Sequence, residues 1–194
     1  METTKEHILE KVAPIFNQKG YVATSMSDIT NATNLTKGAI YCNFKNKEEL
    51  ALEAFRLNLK KAIYPLQVKL KEGKSSIDKL FILTEYYRGY YDLAKSRGGC
   101  PILNAGVDAK FTNTSLYNES KKNWNKLVNG LAKIIEEGKD AGEIKQNIIP
   151  DVFAQKIFAM IEGGVFMSIF TDDKKHLINI MDTIEEMIKT QFVK

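Results

Sequence analysis

The chain has 194 residues, 44% of them apolar and 27% charged, with a formal net charge of +4. That composition is ordinary for a soluble globular protein with a buried core, and its mild basicity fits a nucleic-acid partner. Two cysteines, Cys42 and Cys100, make no disulfide framework, two histidines, His7 and His176, are too few for a metal site, and no stretch approaches the roughly 20 apolar residues of a membrane span. The N-terminus has no apolar signal core, so the expectation is a cytoplasmic, nucleoid-associated protein without a membrane partner.

Period-3.6 patterning dominates, and no strand series or repeat is visible. A first helix is predicted from about Thr4 to Lys19, with Ile8, Val12, Ile15 and Phe16 on one apolar stripe and Gly20 as its stop. A short second helix follows Ser25, whose pairing with Asp28 resembles a capping box, and Ile29 and Ala32 point inward. Asn34 and Leu35 make a tight break. A third helix starts at Thr36 as N-cap and ends near Phe44. Asn46 and Glu49 cap a fourth, with a linker along it before Pro65. Ser75 or Ser76 opens a helix through Leu93, Gly98–Pro101 breaks it, and Pro101 begins another. Further helices are predicted over about Thr114–Gly138, Pro150–Phe170 and Lys174–Phe192. The total is about nine helices in an all-α fold, divided as residues 1–47, a connecting helix 48–64, and residues 65–194.

Two short helices joined by about three residues, behind a third, describe a helix-turn-helix. Such a unit needs one side of its last helix apolar for docking and the other polar and small enough to approach base edges. Ile40 and Phe44 form the docking side. Thr36, Lys37, Gly38, Ala39, Tyr41 and Asn43 are left to face a duplex, with Lys37 and Lys47 placed to neutralise phosphates. Thr24, Ser25 and Tyr41 are candidates to bond phosphate oxygens. Between Asn17 and Lys47 four lysines face a single acid, Asp28.

The runs Gly20–Ile29 and Leu35–Leu50, with Gly20, Thr24, Ile29, Gly38, Tyr41, Phe44 and Lys47 in register, resemble the TetR/AcrR family of bacterial regulators. The chain departs from the family at the turn, where Thr33-Asn34 replaces Ala-Gly, and at Asn43, where His is usual. The resemblance implies a homodimer on a pseudo-palindromic double-stranded DNA operator, a C-terminal domain for dimerisation and a small-molecule inducer, and no catalytic residue or cofactor. It leaves open an activator or an effector-independent DNA-binding protein. Gly99–Asn104 and Ile161–Phe166 resemble the subgroup that includes drug- and flavonoid-responsive repressors of efflux genes.

Within the C-terminal part, Phe81, Tyr86, Tyr87, Tyr90, Phe111, Trp124, Phe158, Glu162 and Phe166 are candidates to line a pocket for a flat, apolar or aromatic inducer, and equally ordinary core residues. Ile157, Ile161, Gly164, Ser168, Ile180, Ile184 and Met187 are candidates for a dimer interface in which the last two helices and their symmetry mates form a four-helix bundle. The sequence holds no Ser-His-Asp set, metal-ligand spacing, phosphate loop or cofactor fingerprint, so an enzyme is not expected.

Overall fold

The computed structural model describes residues 3–193, which form ten α-helices and no named strand. The all-α expectation holds, and the helix count exceeds it because the segment after Ser75 is two helices. α5 (Ser76–Arg88) stops at Gly89 and α6 (Tyr91–Arg97) starts afresh after Tyr90. The chain forms two compact units: one takes residues up to Ala62 together with Ser96–Asn123, and the other takes Ile63–Lys95 and Trp124–Lys194. The contiguous division read from the sequence passes from one part to the other once, near residue 64. The second passage back through 96–123 has no local sequence signature.

The first unit is built around α1 (Thr4–Lys19), α2 (Met26–Thr33) and α3 (Lys37–Asn43). Each begins at a side-chain cap that takes up backbone N–H groups left over in the first turn. Thr3 and Glu6 cap each other's backbone at α1. Ser25 Oγ accepts the Asp28 N–H at 3.1 Å while the Asp28 carboxylate accepts the Ser25 N–H at 2.8 Å. Thr36 Oγ1 accepts the Ala39 N–H at 3.2 Å. Asn34 ends α2 in the left-handed region at φ 56°. The core of this unit joins Ile8, Val12 and Phe16 of α1 to Ile29, Ile40, Phe44 and the Leu50, Ala51 and Ala54 face of α4 (Lys47–Leu70). Ile15 and Ala32, expected inside, are only half-buried. α4 also runs through Pro65 instead of breaking there.

The second unit is dominated by α9 (Pro150–Thr171) and α10 (Lys175–Met187), packed on each other, with α10 also against α5. α8 (Thr114–Asp140) contributes its later turns to this unit. α9 is long and apolar enough, by length and composition, to cross a membrane, which corrects the expectation that no stretch approaches a span. Here one of its faces is a core face: Ala154, Ile157, Ile161, Gly164, Val165 and Ser168 are buried. A Cβ on Gly164 would lie 3.1 Å from Leu177 Cδ1 and 3.3 Å from Ile180 Cβ, so its small size lets α10 approach. The turn closes on Ser168, whose buried Oγ accepts the Leu177 N–H at 2.9 Å and caps α10. Beyond Met187 the predicted last helix loosens into a π-helical turn over Ile188–Phe192, and Phe192 packs edge-on against Phe153.

Two outcomes check these local causes. Ser168→Ala removes the cap of α10 and is expected to cost about 1 kcal/mol in urea unfolding at fixed protein concentration; an unchanged midpoint removes Ser168 from the account. The Lys19 ammonium, 2.6 Å from Asp28, holds that carboxyl down at about 2, with the Ser25 backbone and hydroxyl assisting. Because the folded value is depressed, the contribution is complete above the unfolded value of about 3.9 and is lost as pH falls toward 2. In Lys19→Ala the Asp28 carboxyl midpoint, followed by NMR, is expected to rise; the same midpoint in both proteins means the ion pair does not form.

Candidate nucleic-acid interface and effector pocket

The rotation of α3 follows from two side chains one turn apart. Ile40 is 1% exposed and Phe44 2%, both in the core of the first unit. Thr36, Lys37, Gly38 and Tyr41 are consequently on the outer side, Tyr41 being 39% exposed. Ala39 is half-buried at the edge of that face. The Lys37 ammonium lies 5.9 Å from the Tyr41 ring centroid, so cation and phenol form one surface element. A Cβ on Gly38 would have only Thr36 Oγ1 near it, at 3.9 Å. Among the described residues nothing requires glycine there, although it weakens the helix by about 1 kcal/mol relative to Ala.

Three expected contact residues are placed differently. Thr24 is fully buried and its hydroxyl donates to the Gly20 carbonyl at 2.6 Å, so it does not reach outward to a phosphate. The Asn43 amide turns back to donate to the Ala39 carbonyl of its own helix at 2.9 Å, because an Asn at the C-terminal end of a short helix finds that acceptor one turn behind it. Lys47 is half-buried, with its ammonium 4.6 Å from the Tyr21 ring centroid. Burial lowers its pKa, with Asp108 and Asp28 opposing the shift. Ser25 stays exposed, its hydroxyl engaged with the Asp28 carboxylate at 2.8 Å.

Behind α1, the segment 96–123 is fastened to the helix-turn-helix by side-chain amides that sequence patterning did not single out. Asn17 Nδ2 donates to the carbonyls of Arg97 at 2.7 Å and Gly99 at 3.1 Å. Asn104 Nδ2, on α7 (Pro101–Ala109), donates to the carbonyls of Gly98 at 2.7 Å and Asn17 at 3.0 Å. Arg97 Nη1 donates to Asn58 Oδ1 at 3.0 Å, and buried Asn58 donates to the Ala13 carbonyl at 2.7 Å. The Tyr21 N–H donates to Asp108 Oδ2 at 2.6 Å. Gly20, at φ 83°, admits this carboxylate: a Cβ there would lie 2.6 Å from Asp108 Oδ1. The run Gly99–Asn104 stands out by its resemblance, which says nothing of where the segment packs.

The second unit contains a pocket of about 260 Å³. It is walled by Ile63, Leu66 and Leu70 of α4, Leu83 and Tyr87 of α5, Leu127, Leu131 and Ile134 of α8, and Phe158 and Ile161 of α9, with Gln67, Lys126 and Gly130 alongside. Of the aromatic candidates Tyr87 and Phe158 are in this lining. Trp124 meets Phe158 edge-on with centroids 6.4 Å apart but does not line the pocket. Tyr86 and Tyr90 pack with Tyr87 in a ring cluster, where burial pushes the Tyr86 phenol up to about 12. Phe81 is half-buried, with the Lys189 ammonium 5.7 Å from its ring centroid, and Glu162 is half-buried outside the lining. Phe111 is 90% exposed and belongs to the first unit, and Phe166 is 56% exposed. Most of the aromatic candidates lie elsewhere because most of the wall is leucine and isoleucine.

The expected dimer residues are also largely on the inner face. Ile157, Ile161, Gly164, Ser168 and Ile184 are buried within the chain, and Ile180 and Met187 are half-buried. The face of α9 left outside carries Val152, Ala159, Gly163, Phe166, Met167 and Phe170, the last 79% exposed and stacked on Phe166 with centroids 5.6 Å apart.

Among the described residues no group of three or more His, Cys, Asp or Glu is placed to hold a metal ion. Residues 8–54 match the family described as bacterial regulatory proteins, tetR family, and residues 76–184 match the tetracyclin repressor-like C-terminal domain. The chain is 31% identical to a TetR family transcriptional regulator of known structure from Cytophaga hutchinsonii, covering 98% of this chain and 96% of that one with a TM-score of 0.88. It is 30% identical to a TetR transcriptional regulator from Chloroflexus aurantiacus, with the same coverage and a TM-score of 0.92. Across 187 residues, 95% of this chain and 91% of the relative, it is 24% identical to the transcriptional repressor DhaR of a Mycobacterium species. With both halves matched and the helix-turn-helix in place, the chain belongs to the TetR family and is a transcriptional regulator, not an enzyme.

Proposed function

We propose that this regulator is a cytoplasmic homodimeric repressor that binds a pseudo-palindromic operator through α3 and leaves it when a small molecule enters the pocket of the second unit. The observation that carries the reading is the outer face of α3: Lys37, Gly38 and Tyr41 exposed, with a glycine that no contact inside the chain explains. A small, polar, basic surface on a helix docked from behind suits entry into a major groove. The Met26 and Ser27 N–H groups in the first turn of α2 flank it as phosphate donors, and Thr36 and Ala39 border it.

In the proposed dimer the outer face of α9 meets its own symmetry copy, since a two-fold interface brings one patch against itself. The stripe through Phe166, Met167 and Phe170 supplies the apolar area, and Gly163 supplies the gap: no atom lies within 4 Å of a Cβ placed there. Two recognition helices then fall on half-sites about 34 Å apart, or a small multiple of the helical turn.

For release, α4 is the connecting element. It supplies Leu50, Ala51 and Ala54 to the core of the first unit and Ile63, Leu66 and Leu70 to the pocket of the second. An effector that prefers the pocket with α4 displaced shifts the population of DNA-competent dimers by its differential affinity for the two states and by no more. The amide contacts of Asn17, Asn58 and Asn104 oblige α1 to follow the 96–110 segment.

The operator is obtained by selection from a random duplex pool with the purified protein. Tyr41→Ala is then expected to weaken operator binding at least tenfold with the dimer intact, and Lys37→Met to weaken all duplexes and reduce the salt slope by about one. Unchanged fluorescence-anisotropy midpoints and slopes sink the assignment of α3. Phe170→Glu is expected to give a folded monomer in sedimentation with operator binding lost; a dimer of unchanged mass rejects the α9 interface.

A further inference from the structure

The charge around the pocket of the second unit identifies the kind of molecule it takes. No acidic residue is in its lining, and its single formally charged residue is Lys126. Elsewhere in this unit several cations are paired, Arg88 with Asp182 and Glu185, Lys95 with Asp172, and Lys139 with Glu136, while others point to solvent as Lys126 does. No hydrogen bond or ion pair holds Lys126 among the described residues. Its neighbours along α8 add no acid, Lys122 lying one turn before it and Gly130 one turn after.

Gly130 is the second observation. It lies within α8, where glycine is unfavourable, and no atom lies within 4 Å of a Cβ built on it. No packing among the described residues explains it, yet it lines the pocket and is exposed, as are Lys126 and Gln67. These three residues mark the solvent edge. The missing side chain keeps space open one turn along α8 from Lys126, and Gln67 brings a side-chain amide to the same lining.

We infer that the pocket binds a small amphiphile with one anionic head, of the carboxylate class. The head lies against Lys126 and Gln67, and the apolar body lies between α4, α8 and α9, against Leu66, Leu131 and Phe158. This rests on the effector role proposed above for the same pocket. A cationic head meets no carboxylate here and is repelled by the ammonium. A neutral head forgoes the charge-assisted hydrogen bonds, which are the stronger kind. Size follows by proportion: an apolar cavity of about 150 Å³ takes up benzene, so the present one suits roughly ten non-hydrogen atoms, the size of octanoate.

The probes are therefore octanoate, 1-octanol and octylammonium, which share a tail and differ in head charge. Each is titrated calorimetrically into the full-length protein and into Lys126→Met, which retains an apolar stem without the charge, and then into the protein–operator complex. Octanoate is expected to bind the native protein tightest and to lose about tenfold in affinity in Lys126→Met, while octanol is unaffected by the substitution and octylammonium is weakest. Equal affinities for the three heads, no octanoate binding up to its solubility, or the same loss for octanol as for octanoate overturns the inference. Octanoate binding that depends on Lys126 but leaves operator affinity unchanged supports the anion site and rejects induction through it. Operator release by octylammonium with octanoate inert rejects the anion site and leaves induction standing.

Discussion

Seven residues do not hold a helix in water, because nucleation costs more than so few hydrogen bonds return. α3 exists because Ile40 and Phe44 are driven into the cleft between α1, α2 and the first turns of α4. Each contributes about 1.5–3 kcal/mol of burial, against at most about 1 kcal/mol for an exposed ion pair. The apolar pair also decides geometry. Two buried anchors one turn apart leave a single rotation for the rod, and the outward positions of Lys37, Gly38 and Tyr41 follow from it. The polar residues that face outward do not position themselves, so each is replaceable without loss of the helix.

The same unit shows a different means of attachment on its other side. The last turn of α1 offers carbonyls that have no partner in the helix. Asn104 supplies one donor to this end, at the Asn17 carbonyl, while the Asn17 side chain returns a bond to the carbonyl of Gly99. These groups are partly or wholly buried, where losing a partner costs about 1–3 kcal/mol per group. Hydrogen bonds of this kind also fix register more tightly than apolar contact, which tolerates sliding. The 96–110 segment and the helix-turn-helix are therefore held in a defined register.

Legibility in the sequence tracked how local the determining interaction was. The caps Ser25 and Thr36, the turn at Asn34 and the docking pair on α3 act over three or four residues, and the helix-turn-helix was readable from them. Thr24 was misplaced although its partner is only four residues away, since a Thr after a turn serves a backbone carbonyl as readily as a phosphate. Phe111 and Phe166 were misplaced because aromatic character says nothing about which side of a helix meets the core. The membership of 96–123 in the first unit was invisible, because it depends on pairs such as Asn17 with Gly99 and Tyr21 with Asp108, separated by more than eighty residues.

α9 illustrates the limit most sharply. A helix that is apolar on all sides has no amphipathic phase, so periodicity cannot tell a face that packs inside the chain from one that awaits a partner. Most of the residues expected at the interface lie on the first. Two adjacent glycines separate the faces in the folded chain. Gly164 lies against Leu177 and Ile180, where added atoms collide, so its smallness serves α10. Gly163 faces open space beside Ala159, Phe166 and Met167, where its cost to the helix is repaid by nothing within the chain. In a two-fold pairing across that stripe, the large side chains at Phe166 and Phe170 of one protomer would fill the depression at Gly163 of the other. The residue least informative by type thus distinguishes the two sides of the helix, through what surrounds the place where its side chain would be.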